Sequence, residues 1–365
     1  MARHLATRHL GWAACAVACA TAWLPVACAQ TAVLNPKALP LGDGRISTTP
    51  QRGYVFSCVT DFQGSGAQHA GDWIQGSTWD ATRKIWVQGE VLWPNARFSL
   101  QTTATERMLS GNALPVGHAT GNFPIARSDP AYQIDRNPNT IVEQTLSFTL
   151  PLQPTLSASA GCVPMGMIGV ALNGVPIFNA LDAAGRDAVA HEVQDRCHGH
   201  PQERGVYHYH GPSDCLAGSG DNNALLGYAL DGFGIYSGQG ESGRELTNAD
   251  LDECHGRTSP VMWNGKQTSI YHYVMTREYP YTIGCYRGNA VRAQPQPMKA
   301  GSGPAESIGR PGQARRPPAE AIAACSGKAD DSVCAFTSPR GMEVRGQCRK
   351  VGAGAGEFAC VPAGR

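Results

Sequence analysis

Cys197-His198-Gly199-His200-Pro201-Gln202-Glu203-Arg204-Gly205-Val206-Tyr207-His208-Tyr209-His210-Gly211-Pro212-Ser213-Asp214-Cys215 sets two cysteines around four histidines. Within it, Val206 to His210 has the alternation and aromatic content of a β-strand. Side chains two apart on a strand share a face. His208 and His210 therefore point one way, and Tyr207 and Tyr209 the other. Two imidazoles on one face can bind a transition metal when a further ligand comes from elsewhere. His191 lies upstream, and His255 and His272 downstream, so seven of the 11 histidines fall between 191 and 272.

Outward from this stretch, the cysteines set the class. The chain opens with a basic head (Arg3, His4, Arg8, His9), an apolar run from Leu10 to Pro25, and the small residues Ala27-Cys28-Ala29 before Gln30. That is the layout of a secretory signal peptide cut after Ala29. Lipidation at Cys28 is the less favoured alternative, because Pro25 stands where such a site wants a leucine-like residue. Export to the periplasm or medium follows. Cys58, Cys162, Cys197, Cys215, Cys254, Cys285, Cys325, Cys334, Cys348 and Cys360 then remain. An even set in an exported chain reads as disulfides, and argues against a thiol nucleophile or a thiolate metal site. Cys197 with Cys215 and Cys254 with Cys285 are the expected pairs, and other pairings stay open.

The formal net charge of +1 gives no support to nucleic-acid binding. No stretch after the signal offers the ~18 apolar residues of a membrane span. Glycine (43) and proline (25) favour turns and short strands over long helices. From 30 to 160 the pattern is β-rich. Tyr54–Val59 reads as a strand, and Ile85–Trp93 as a strand pair or one long bulged strand. Arg97–Gln101 alternates. Asn137-Pro138-Asn139 is a turn, and Thr140–Leu150 alternates again at Ile141, Leu146, Phe148 and Leu150. Strands without an amphipathic helix predict a mainly β fold, an antiparallel sheet sandwich or barrel-like body. His69 and His118 stand alone there and read as surface or hydrogen-bonded histidines.

Ile168 to Phe178 reads as strand, Asn173-Gly174 turn, strand, and Leu226 to Tyr236 as strand, Asp231-Gly232 turn, strand. Such dipeptides supply the left-handed residues of a tight hairpin. Two matching hairpins suggest an internal duplication.

Further motifs follow in order: Asp195 and Cys197, Gly199-His200-Pro201, Tyr207-His208-Tyr209-His210, Gly227 to Phe233, and Ile235-Tyr236. Then come Leu251-Asp252-Glu253-Cys254-His255-Gly256, Tyr271-His272-Tyr273, and Tyr279 to Cys285. Over about 165–290 the chain resembles the YHYH-domain proteins. One departure is Val274, where some relatives have a further histidine. The resemblance implies a YHYH domain over 161–291 and no particular activity. It also implies which histidines belong to the motif: His200, His208, His210 and His272, with His198 and His255 as weaker candidates. A site built from them would favour zinc or copper. An open position on such a metal could activate water, with Asp231, Asp252 or Glu253 as a further ligand or general base. No Gly-x-Ser-x-Gly elbow supports a serine hydrolase instead.

Residues 292–322 are rich in Pro, Gly, Ala and Arg and read as a solvated linker. Residues 323–365 hold four cysteines in a segment too small to fold without staples. This module would suit a cell-surface, glycan or protein partner. Two functional readings remain. One is a transition-metal site serving metal handling or metal-dependent catalysis. The other is an extracellular binding or adhesion module whose histidines are structural.

Overall fold

The computed structural model describes residues 1, 34–240, 243–291, 319–337, 343–351 and 357–362. Met1 apart, the expected signal peptide lies outside the described residues, and so does most of the expected linker. The chain divides into two units, Met1–Lys299 and Ala300–Arg365. Mainly β structure, with five disulfides, is what the sequence led us to expect.

In the first unit, a mixed eight-stranded sheet is built from β1 (Met167–Ala171), β2 (Pro176–Phe178), β3 (Gly199–Pro201), β4 (Tyr207–Tyr209), β5 (Leu225–Ala229), β6 (Gly234–Ser237), β7 (Gly256–Trp263) and β8 (Lys266–Met275). Their spatial order is β3-β4-β2-β1-β5-β6-β8-β7. This order is a palindrome of two four-strand halves. In each half a hairpin (β1-β2, β5-β6) leads to a second hairpin (β3-β4, β7-β8). The later strand of the second hairpin pairs in parallel with the later strand of the first, Ile177 against Tyr209 and Ile235 against Tyr273. The halves join where β1 and β5 run antiparallel, Tyr228 facing Val170. The duplication suggested by two short hairpins thus extends through all eight strands.

Local chemistry repeats as well. Asp195 and Asp252 each open a Cys-His-Gly turn. Asp195 Oδ1 accepts the N–H of Cys197 at 2.9 Å and of Gly199 at 3.2 Å, and Asp252 Oδ1 those of Cys254 at 2.9 Å and Gly256 at 3.0 Å. The histidine inside each turn takes a left-handed backbone, φ 61° at His198 and 67° at His255. A Cβ on Gly199 would stand 2.2 Å from the Tyr207 ring, and one on Gly256 2.2 Å from the Tyr271 hydroxyl, so only glycine lets each tyrosine lie over the turn. Disulfides Cys197–Cys215 and Cys254–Cys285 close the two loops. Each loop closure of this length contributes about 3 kcal/mol on a chain-entropy account.

The N-terminal part adds smaller sheets. Phe98–Thr102, Glu106–Gly111 and Leu146–Pro151 form an antiparallel three-stranded sheet. Leu146, Phe148 and Leu150 are buried while Ser147 and Thr149 face water, the alternation their spacing requires. These side chains join Val163, Ile168, Tyr207 and Tyr273 in one apolar cluster, so residues 34–160 and 161–291 share a core. Arg107 is fully buried between the rings of Tyr228 (4.0 Å) and Trp263 (4.7 Å) and ties the small sheet to the large one. Ile85–Trp93 differs from expectation. It runs as a connecting segment with single bridges at Val87–Asp195 and Val91–Thr120, and Cys58–Cys162 staples another part of this region.

The second unit is a helix, Ala319–Ala323, and an antiparallel sheet of Val333–Thr337, Glu343–Val351 and Glu357–Pro362. Cys325–Cys348 and Cys334–Cys360 cross it, and the cysteines themselves make up most of its small core.

Candidate metal centre

Both faces of β4 are buried, so His208 is taken out of water as fully as Tyr207 and Tyr209. A buried imidazole needs a partner for each nitrogen. The register of the β3-β4 hairpin sets His200 directly opposite His208, on the face His210 also occupies. The three rings converge. His200 and His208 centroids are 4.6 Å apart, His208 and His210 4.7 Å, and His200 and His210 5.3 Å. Exposure is 3%, 2% and 4%. Phe178, at the end of β2, stacks on His208 at 3.9 Å and seals one side.

Tautomers follow from the acceptors. His208 Nδ1 lies 3.0 Å from the Val206 carbonyl and His210 Nδ1 2.5 Å from the Asn179 carbonyl. A carbonyl only accepts, so both Nδ1 atoms carry the proton. The two Nε2 atoms then present bare lone pairs to each other at 3.0 Å. His200 has no hydrogen-bond partner at either ring nitrogen. Protonation is a poor remedy, because burial pushes the His200 and His208 pKa values well below the ordinary imidazole range and that of His210 to about 4.

A carboxylate completes the cluster. Helix α1 (Ala188–His191) is capped by Asp187, and the chain leaves it in extended form at Glu192. Glu192 Oε2 stands 3.5 Å from His200 Nε2 and 3.5 Å from His210 Nε2. It too has no hydrogen-bond partner, and burial raises its pKa well above the usual carboxyl range. The half-buried Lys84 donates to the Val189 carbonyl and the Gln194 side chain, which pins the segment carrying Glu192. Ligands of a tetrahedral zinc at ~2.05 Å would lie about 3.3 Å apart. The 3.0 and 3.5 Å separations bracket that value, and the ligand nitrogens of all three histidines lie within 4.8 Å of one another. The group could hold a transition metal.

His272 is not part of this cluster. β8 lies five strands from β4 in the sheet order, roughly 24 Å at ~4.8 Å per strand. There His272 packs against Tyr236 at 4.9 Å and its Nδ1 donates to the Ile270 carbonyl. It is the copy of His208, as Tyr236 is the copy of Phe178. Its would-be partners differ: Arg257 faces it where His200 faces His208, and Val274 follows where His210 would stand. Counting back from the shared aspartate, Ala249 takes the place of Glu192.

The remaining candidates have other company. Half-exposed His198 lies 3.8 Å from Asp214. Buried His255 bonds Asn248 and Thr276, each at 3.0 Å. Asp231 accepts from Tyr273 at 2.5 Å and Gly288 at 2.9 Å, as Tyr209 receives Asn173 at 2.9 Å in the first copy. Asp252 holds its turn, and Glu253 is 3.5 Å from Arg287. None of the three acids approaches the histidine cluster. His118, Cys197 and Cys215 also lie close together, as do Cys325, Cys334 and Cys348, but those sulfurs are in disulfides and offer no thiolate. Glu192 is the residue sequence reasoning missed. Comparing the two copies could have found it, since the clustered positions differ while the framework stays.

The model of the family described as YHYH protein matches residues 147–249. Over that segment the resemblance read from the motifs is shown. The matched residues hold all three clustered histidines, Glu192 and the Cys197–Cys215 loop, and stop short of His255 and His272. No curated protein and no solved structure matches the chain.

Proposed function

We propose that this is an exported metal-binding protein that holds one divalent transition metal, zinc or copper, on the Nε2 atoms of His200, His208 and His210 with Glu192 as fourth ligand. The observation that carries this reading is the approach of His208 Nε2 and His210 Nε2 to 3.0 Å while both Nδ1 atoms face backbone carbonyls. A shared cation makes that arrangement favourable in a buried site. Three neutral imidazoles and one carboxylate suit a borderline metal. The carbonyls of Val206 and Asn179 fix the ring orientations, the usual support for metal-bound histidine. The Glu192 side chain, 15% exposed, is the one solvent-facing member, so metal would enter and leave past it. Export is supported by the five disulfides. Among the described residues no helix is long and apolar enough to cross a membrane.

Titration of chelator-stripped protein with zinc and with copper tests the reading. Stoichiometric binding is expected, weakened in Glu192→Gln by roughly 10–100-fold as a lost supporting or ligating group would. Equal affinity in Glu192→Gln would remove the carboxylate from the site. Absence of binding to either ion would overturn the proposal.

A further inference from the structure

The tyrosine side of β4 carries a second group of ligand atoms. A ring nitrogen of His118 and the sulfurs of Cys197 and Cys215 lie within 4.8 Å of one another. The loop that brings His118 there is tied to the same aspartate as the cysteine turn. Asp195 Oδ2 accepts the Gly121 N–H at 2.9 Å, while Oδ1 accepts that of Cys197. His118 Nδ1 faces the Ala119 carbonyl at 2.8 Å and so carries the proton, as in His208 and His210. The His118 lone pair is therefore on Nε2, where it accepts from the Tyr209 hydroxyl at 2.7 Å.

Bonded to each other, the two sulfurs offer no thiolate, but the pair is arranged to outlast the opening of that bond. Ser213, 1% exposed, donates to the Cys197 carbonyl at 2.5 Å and accepts the Cys215 N–H at 3.2 Å. This strap and the pairing of β3 with β4 hold the two cysteines near each other without the S–S bond. Cys215 is half-buried, which leaves it open to a small reductant. The second copy differs. Cys254 and Cys285 are both 0% exposed, and among the described residues no histidine joins their sulfurs in a ligand group.

We propose that Cys197, Cys215 and His118 form a second metal site, open only when their disulfide is reduced, and that it takes zinc or copper(I). A dithiol reductant supplies the two electrons. Its thiolate attacks Cys215 Sγ, the S–S bond breaks, and Cys197 leaves as a thiolate. The reductant's second thiol then displaces Cys215 and closes to its own disulfide. Metal holds both cysteines as thiolates, and the reductant's two protons pass to solvent. Thiolate sulfur selects soft and borderline ions. Two sulfurs on a tetrahedral zinc lie about 3.8 Å apart, a separation the opened pair can reach. His118 exchanges its hydrogen bond from Tyr209 for the metal. The site shares β4 with the histidine cluster but none of its ligands, so it does not depend on that cluster holding metal.

The test is titration of the full mature chain with cobalt(II), oxidised and after treatment with a water-soluble phosphine. The readout is the near-ultraviolet thiolate-to-cobalt charge-transfer band, which a site of imidazoles and carboxylate does not give. The band is expected in the reduced chain only, and not in Cys197→Ser/Cys215→Ser. In His118→Ala, which keeps the disulfide and is checked by thermal melt, cobalt affinity should fall at least roughly tenfold. Alkylation read by mass spectrometry should find Cys197 and Cys215 modified before Cys254 and Cys285. A band that persists in the double serine variant would come from the C-terminal cysteines and would overturn the proposal. So would unchanged affinity in His118→Ala, no band in the reduced native chain, or a Cys197–Cys215 pair that resists the phosphine while the chain is folded.

Discussion

The two halves of the eight-stranded sheet share strand order, register, turn chemistry and a disulfide, yet only one gathers a set that could hold a metal. In the first half, His200, His208, His210 and Glu192 converge. In the second, the matching positions are Arg257, His272, Val274 and, by counting, Ala249. The parts that build the fold are the parts in common: the Asx-type aspartate, the Cys-His-Gly turn, the tyrosines flanking the strand histidine. The parts that differ include all four residues of the cluster. Fold and site are therefore separable in this molecule, and each copy is a control for the other.

The largest stability contrast should come from the tyrosines over the turns. Tyr207 donates to both oxygens of the buried Asp195, at 3.0 and 2.9 Å. Tyr207→Phe leaves that carboxylate short of partners and should cost about 2 kcal/mol by urea denaturation. Tyr271 donates to the more exposed Asp252 at 3.2 Å, so Tyr271→Phe should cost below about 1 kcal/mol. Equal costs would mean that the copies are equally closed over their turns.

A pH effect should come from the second copy. Burial holds the His255 pKa down to about 3, below the ordinary 6.5. Between those values the unfolded chain takes up a proton that the folded chain does not. His255 thus destabilises the fold as pH drops below 6.5, by about 1.4 kcal/mol per pH unit, and has no such effect above it. Urea midpoints at pH 7 and pH 5 should fall less in His255→Asn than in the native chain. An unchanged difference would show that His255 is not held neutral. Smallest of all, Arg257→Gln should leave stability within about 0.5 kcal/mol and metal content untouched, since the arginine is partly exposed and makes no ion pair among the described residues.

Much of this was legible in the sequence. The Tyr-His-Tyr-His alternation placed His208 and His210 on one face, the Asn-Gly and Asp-Gly dipeptides marked the two central hairpins, and the loop disulfides fell between the expected cysteines. The division of the histidines was not legible. Spacing along a strand tells which face a side chain takes, but not which strands become neighbours. His272 has the same local motif as His208 and lies across the sheet because the copies meet through β1 and β5. Glu192 was hidden for a related reason: it reaches the site from the end of a one-turn helix, and no strand period marks it. Asp231 shows the reverse case. Its turn role was readable from Asp-Gly, and the structure adds the hydrogen bond from Tyr273 that makes it a framework residue.

The most direct measurement is the metal content of purified native protein beside His208→Ala/His210→Ala and His272→Ala, by elemental mass spectrometry after reconstitution with zinc or copper. One equivalent in the native chain and in His272→Ala, and none in the folded double variant, is the expected result. Loss of metal in His272→Ala with retention in the double variant, or no metal in any of the three, would contradict the assignment of the site to the first half of the sheet.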